Sequence, residues 1–143
     1  MGLEGAIMRQ GWNHLCDYLY ILDEAPRTRR VSLRHRGLAR IPEEVLAMTF
    51  LTDLDLSYNK ITALPPQLRH FHDSLTSMDL SYNRLSSLPI DLKYLTKLDE
   101  CSYEGMLMSF LPKVIRNMGI KHVRRYINEM DEVTSRVKLS MKK

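Results

Sequence analysis

The sequence has no long apolar run. Its unbroken hydrophobic stretches are a few residues each, Tyr18 to Leu22 among them, against the roughly 20 that a membrane-spanning helix needs. Cysteine is scarce: Cys16 and Cys101 are too few for the disulfide framework of a secreted repeat protein, and no Asn is followed by the Ser or Thr of a glycosylation acceptor. The start lacks the basic, apolar and small-residue order of a signal peptide, because Glu4 and Arg9 interrupt it. These absences lead to the expectation of an intracellular, cytoplasmic protein in a reducing compartment. Gly-rich phosphate loops, a G-x-S-x-G elbow and a Cys/His pair with an orienting acid are also missing. Neither catalysis nor a cofactor is therefore expected, and no small-molecule substrate.

What is present suits one compact domain: 143 residues, 44% hydrophobic and 27% charged. The net charge of +4 is uneven. Residues 113–143 carry nine Lys/Arg and three Asp/Glu, whereas residues 1–112 carry twelve and fourteen. The opening Met1-Gly2-Leu3-Glu4-Gly5-Ala6 approaches a myristoylation signal, but Ala6 stands where Ser or Thr is wanted. An ordinary start is the stronger reading.

Self-comparison finds an internal repeat. Leu51-Thr-Asp-Leu54-Asp-Leu56-Ser-Tyr-Asn59-Lys-Ile61-Thr-Ala-Leu64-Pro65 returns as Leu75-Thr-Ser-Met78-Asp-Leu80-Ser-Tyr-Asn83-Arg-Leu85-Ser-Ser-Leu88-Pro89. Two worn copies flank them, one with Val31, Leu33, Leu38, Ile41 and Pro42, the other with Cys101, Tyr103, Met108, Leu111 and Pro112. The Leu54/Leu56 and Met78/Leu80 alternation has the period of a strand with one face inward. Asn59 and Asn83 fall just past it, where a short amide satisfies turn backbone. The following Ile61, Leu64, Leu68, Phe71 and Leu85, Leu88, Leu92, Leu95 are spaced for helical turns on the outer side, with the Pro setting where they begin.

This pattern resembles the leucine-rich-repeat family, in particular the cytosolic type with repeats of about 23 residues and Leu-Pro-x-x-Leu in the second half. The resemblance covers about two-thirds of the chain. It implies an α/β fold, a short solenoid of four repeats over residues 28–118 with a parallel sheet on its concave face. The worn ends, with Arg36 and Met106 at the Asn positions, need covers. Residues 1–27 are expected to supply an N-terminal helical cap whose stripe is Ile7, Met8, Trp12, Leu15, Leu19 and Leu22, with Cys16 in its core. Gly119 closes the last repeat, and residues 119–133 are expected to form a C-terminal capping helix along Ile120, Val123, Ile127 and Met130. Residues 134–143 read as a frayed basic tail.

In that register the outward strand residues form columns: Arg30, Asp53, Ser77, Glu100; Ser32, Asp55, Asp79, Ser102; and Arg34, Ser57, Ser81, Glu104. A fourth column just past the strands is His35, Tyr58, Tyr82, Gly105. The candidate partner-binding residues are Arg30, Arg34, His35, Asp53, Asp55, Tyr58, Asp79, Tyr82, Glu100 and Glu104. Tyr is a good anchor, bringing apolar area and a polar tip with little rotamer entropy. Ser-Tyr-Asn is equally ordinary filler in such repeats, so an idle surface stays open. The columns run from basic to acidic, a gradient that orients a partner of opposite polarity or merely keeps the face solvated. Four strands span only about 15 Å and offer roughly 300 Å², against about 800 Å² per partner in a standard interface. A flank is therefore expected to take part.

His70-Phe71-His72-Asp73 lies in the outer half of the second repeat, where one extra residue is inserted, and reads as a surface loop rather than a metal or base site. No metal is expected. The basic C-terminal region is too diffuse, and with Tyr126 as its only aromatic too poor in stacking groups, to favour nucleic acid or an anionic membrane. The resulting expectation is a protein–protein interaction module: an intracellular adaptor, regulatory subunit or scaffold, monomeric outside its complex. The resemblance to cytosolic family members adds regulation of signalling enzymes as a weak implication. The alternative is a structural subunit docked into a large assembly through its basic C-terminal region.

Overall fold

The computed structural model describes residues 11–106, 109 and 111–142. The expectations placed on Gly2, Ile7, Met8 and Met108 lie outside them. Four three-residue strands, β1 (Arg30–Ser32), β2 (Asp53–Asp55), β3 (Ser77–Asp79) and β4 (Glu100–Ser102), form one parallel sheet in sequential order. The register aligns Arg30, Asp53, Ser77 and Glu100, and on the inner side Val31, Leu54, Met78 and Cys101. Between strands the chain returns through α2 (Glu43–Leu46), a 3-10 turn at Pro66–Phe71 and another at Ile90–Tyr94, and after β4 it turns back through α3 (Lys113–Asn117). Each is preceded by a proline at the capping position: Pro42, Pro65, Pro89 and Pro112, all with ψ between 134° and 155°. Extended backbone there turns the chain into the outer layer. The core is a stack of leucines, with Leu33, Leu56, Leu80, Leu51, Leu75 and Leu98 wholly buried.

The asparagines act across repeats. Asn59 is buried; its Oδ1 accepts the Arg36 and Leu38 N–H groups at 3.0 Å, and its Nδ2 donates to the Leu33, Leu56 and Ser57 carbonyls. Asn83 repeats the pattern one strand on, accepting from Ile61 N–H and donating to Leu56, Leu80 and Ser81 carbonyls. One amide thus satisfies backbone groups that the curving chain leaves without ladder partners.

The N-terminal cover is α1 (Trp12–Thr28), ended by Arg29 in the left-handed region. It buries Tyr18 and Ala25, with Leu15, Ile21 and Leu22 packed beside them. The expected stripe is therefore corrected: Trp12 is 76% exposed, Leu19 55%, and Cys16 faces solvent instead of a core. Apolar residues occur all round this helix, and contact with the first repeat selects the face through Tyr18, not the one through Trp12 and Leu19. The Tyr18 phenol is held above its usual range by burial and then by Glu44, and its Oη has no hydrogen-bond partner among the described residues.

The C-terminal cover is α4 (Ile120–Met141), begun by Gly119 at φ 89°. Ile120, Val123 and Ile127 are buried, and Arg124 donates to the Leu95 and Leu98 carbonyls, closing the outer layer. Two expectations are corrected here. Met130 is half-exposed, and residues 134–141 are no frayed tail but continue the helix. No Gly or Pro interrupts the sequence after Gly119, and Arg125–Glu129 and Asn128–Glu132 pairs support successive turns. No helix among the described residues is long and apolar enough to cross a membrane.

Candidate functional site

The concave face is built from the outward side chains of the four strands and the turn that follows each. Asp53 faces Arg30 at 3.4 Å and accepts from Thr52 Oγ1 at 2.6 Å. Asp55 is more fully engaged: Oδ2 accepts from Ser32 Oγ, while Oδ1 accepts from both Ser57 N–H and Ser57 Oγ. Asp79 accepts from Ser81 N–H at 2.9 Å. These contacts correct one column, since Ser57 and Ser81 are 1% and 6% exposed and do not face outward. The strand period ends at the aspartates, whose side chains bend the next peptide into a turn. Arg34 and Glu104 at the two ends of that column are exposed, as are Arg30 and Glu100.

The next column holds a backbone feature that its sequence does not announce. His35, Tyr58 and Tyr82 have φ of 56°, 56° and 55°, and Gly105 in the same position has φ 68°. A non-glycine residue in the left-handed region costs roughly 1–2 kcal/mol, and here that cost recurs in three successive repeats. The conformation is held from the next repeat: the N–H groups of His35, Tyr58 and Tyr82 donate to the carbonyls of Ser57, Ser81 and Glu104. Each ring is thereby carried over its neighbour. His35 stacks on Tyr58 at 4.5 Å and Tyr58 on Tyr82 at 4.4 Å between centroids, with the Arg34 guanidinium 4.6 Å from the Tyr58 centroid.

Gly105 makes room for the last ring. A Cβ at that position would lie 2.5 Å from Tyr82 Cδ1. Gly105→Ala is therefore expected to swing the Tyr82 ring out of the stack and destabilise the fold by roughly 1 kcal/mol, mainly through the left-handed backbone. Urea denaturation measures the loss, and tyrosine near-UV circular dichroism reads the stack.

The other chemistry-bearing residues stand apart. Burial, and then the Asp79 carboxylate, push the Cys101 thiol up to about 12, so at neutral pH it is a thiol filling space behind β4. Phe71 is buried while His70, His72 and Asp73 are exposed around it; His72 Nε2 meets Asp73 at 2.8 Å. Ser74 absorbs the inserted residue by donating to the Thr49 carbonyl. No group of three or more His, Cys, Asp or Glu suited to a metal occurs among the described residues.

Comparison with known proteins agrees with the geometry. No curated protein matches the chain. A family model described as "Leucine rich repeat" matches residues 26–85 and 51–100, together just over half of the chain. With four strands in parallel register, proline-led outer turns and a buried asparagine bridging repeats, the chain belongs to the leucine-rich-repeat family.

Proposed function

We propose that this chain is an intracellular recognition module, an adaptor, regulatory subunit or scaffold without catalysis, that holds a protein partner against its concave face. The family is in general a non-catalytic protein-interaction fold. The observation carrying the assignment to this face is the stacked column of His35, Tyr58 and Tyr82, exposed and pre-ordered on strained backbone. Strain held by surrounding hydrogen bonds points to function, and rings already stacked lose little freedom when a partner covers them. Tyr58 and Tyr82 are 37% and 46% exposed, enough to seat an apolar or cationic side chain. Arg30 and Arg34 at one end and Glu100 and Glu104 at the other give the partner an orientation. Asp53, Asp55 and Asp79, tied to their own strands and turns, serve as the fixed acidic floor between them.

Replacing Tyr58 and Tyr82 together by Ala leaves the Cβ atoms and backbone strain in place. It is expected to lower stability by only about 1 kcal/mol, the worth of the stacking, while weakening partner capture by ten-fold or more. A pull-down from native extract comparing wild type, the Tyr58/Tyr82/Arg34/Glu104 quadruple variant and a truncation after Val133 tests the reading. Loss with the quadruple variant alone supports the concave face. Loss with the truncation alone overturns it in favour of a subunit docked through its C-terminal region.

A further inference from the structure

The backbone pattern that joins the repeats is left open at β4. In each earlier repeat the N–H groups that point to the next one find its carbonyls: Leu33 donates to Asp55, Leu56 to Asp79 and Leu80 to Ser102, while Tyr58 and Tyr82 donate to Ser81 and Glu104. In return the Thr76 carbonyl accepts from the Asp99 and Glu100 N–H groups. In the fourth repeat these positions fall to the Cys101, Tyr103 and Gly105 N–H groups and to the Asp99 and Cys101 carbonyls. Parallel pairing points them away from β3, and none of them has a hydrogen-bond partner among the described residues.

The two covers differ at this level. Helix α1 packs on β1 and leaves Val31 and Leu33 only 2% and 0% exposed. Helix α4 packs instead on the Ile90–Tyr94 turn and α3. Cys101 and Tyr103, which stand where Val31 and Leu33 do, are therefore only half-buried. The edge is still held in place, because Tyr103 Oη donates to the Arg116 carbonyl at 2.7 Å behind the sheet. No Pro or Lys occurs from Asp99 to Met106 to blunt it.

Charge selects what lies along this edge. Glu100 and Glu104 are exposed on its concave side and form no ion pair among the described residues, whereas Asp99 is paired with Lys121 at 2.9 Å. Two copies joined edge to edge about a twofold axis at Ser102 would set each Glu100 opposite a Glu104, and like charges directly opposite resist pairing. The favourable case stands at the head of the Glu100 column, where Arg30 faces Asp53 across β1 and β2 at 3.4 Å. We propose that the edge of β4 binds an extended segment of a partner protein as a further parallel strand, with Lys or Arg opposite Glu100 and Glu104 and small apolar residues opposite Cys101 and Tyr103. The carbonyls of that segment accept from Cys101, Tyr103 and Gly105, and its N–H groups donate to Asp99 and Cys101. The surface is separate from the ring column and adds area at the flank of the concave face.

The probe is the peptide acetyl-Lys-Val-Thr-Val-Lys-amide, added to the full chain. Without it, the Tyr103 and Gly105 amides should exchange with deuterium at least ten-fold faster than those of Leu56 and Tyr58; equally slow exchange means that the edge is already filled and overturns the proposal. The peptide should slow both amides with a Kd of roughly 0.1 to 1 mM. Methylating its Thr amide nitrogen removes the donor to the Cys101 carbonyl and keeps the charge, and should weaken binding about ten-fold. Glu100→Gln with Glu104→Gln should weaken it about as much at an unchanged melting temperature. No protection by the peptide, or indifference to the methyl group, overturns the added strand, and indifference to the two glutamines overturns the basic partner. Tyr58→Ala, which removes a ring of the concave column, should bind the peptide as the wild type does. Loss of binding there places the peptide on the concave face and overturns the edge site.

Discussion

Truncating Leu56 to Ala is expected to lower the unfolding free energy by about 2 to 5 kcal/mol, the range for a buried leucine that leaves a cavity. Leu56 is wholly buried, and its N–H donates to the Asp79 carbonyl of the next repeat, so neither side chain nor backbone has room to shift. Leu33 and Leu80, equally buried, flank it in the neighbouring repeats. In a solenoid, stability is close to a sum of repeat terms and nearest-neighbour interfaces, and a cavity in the second repeat damages the contacts on both sides. The melting temperature should fall by roughly 10 °C. Leu19→Ala on α1, at a 55% exposed position, serves as the control and should change little. Urea unfolding followed by circular dichroism measures both, and a loss under about 0.5 kcal/mol at Leu56 would place that side chain outside the core.

The contrast between these leucines marks where the sequence is legible. The strands were readable because two nearly identical copies fix the spacing of Leu54/Leu56 and Met78/Leu80, and a strand period that recurs 24 residues on leaves one register. Helix α1 occurs once, with apolar side chains on several faces. Trp12 and Leu19 form as good a stripe as Leu15, Tyr18 and Leu22, and only packing against β1 decides between them. Ser57 and Ser81 escape the strand alternation because Asp55 and Asp79 turn the chain immediately after the strands. The polarity of residues 134–141 hides that they are helical. Basic composition does not end a helix in which nothing after Gly119 breaks the backbone.

The ring stack was half legible. Its column could be aligned from the repeat, but Tyr has no preference for left-handed backbone, and neither Tyr58 nor Tyr82 signals a positive φ. The available sign was Gly105, the one member of the column free to adopt that conformation without strain. Its place beneath the Tyr82 ring shows that the column is continuous across all four repeats, while the exposed surface it offers is confined to the first three. This confinement places the rings at the end of the face that carries Arg34 and leaves Glu100 and Glu104 as a separate acidic end, so aromatic surface and charge follow one another across the strands from β1 to β4.

Asn59→Ala is expected to cost about 3 to 5 kcal/mol, as much as the leucine cavity, although it removes a polar side chain. The Leu38 N–H and the Leu33 carbonyl lose the amide that they bond, in buried surroundings that water does not reach without opening the repeat. Each buried group left unmatched costs roughly 1–3 kcal/mol, and the packing of the amide is lost as well. Leu56 and Ser57 suffer less, because the Leu56 carbonyl also accepts from Asn83 Nδ2 and the Ser57 carbonyl from His35 N–H. Asn59→Asp separates the hydrogen-bond account from a volume account. It keeps the size, but its carboxylate has no donor for the carbonyls and sets a negative charge among them, so it should be at least as damaging as Ala at neutral pH. Burial and the carbonyls favour the protonated acid, which regains one donor. Compared with wild type at the same pH, the loss should shrink as pH falls towards the ordinary carboxylate value of about 4 and level off below it. Equal stability of wild type and Asn59→Asp at pH 7, measured by urea unfolding, would remove the asparagine ladder from the forces that hold the repeats together.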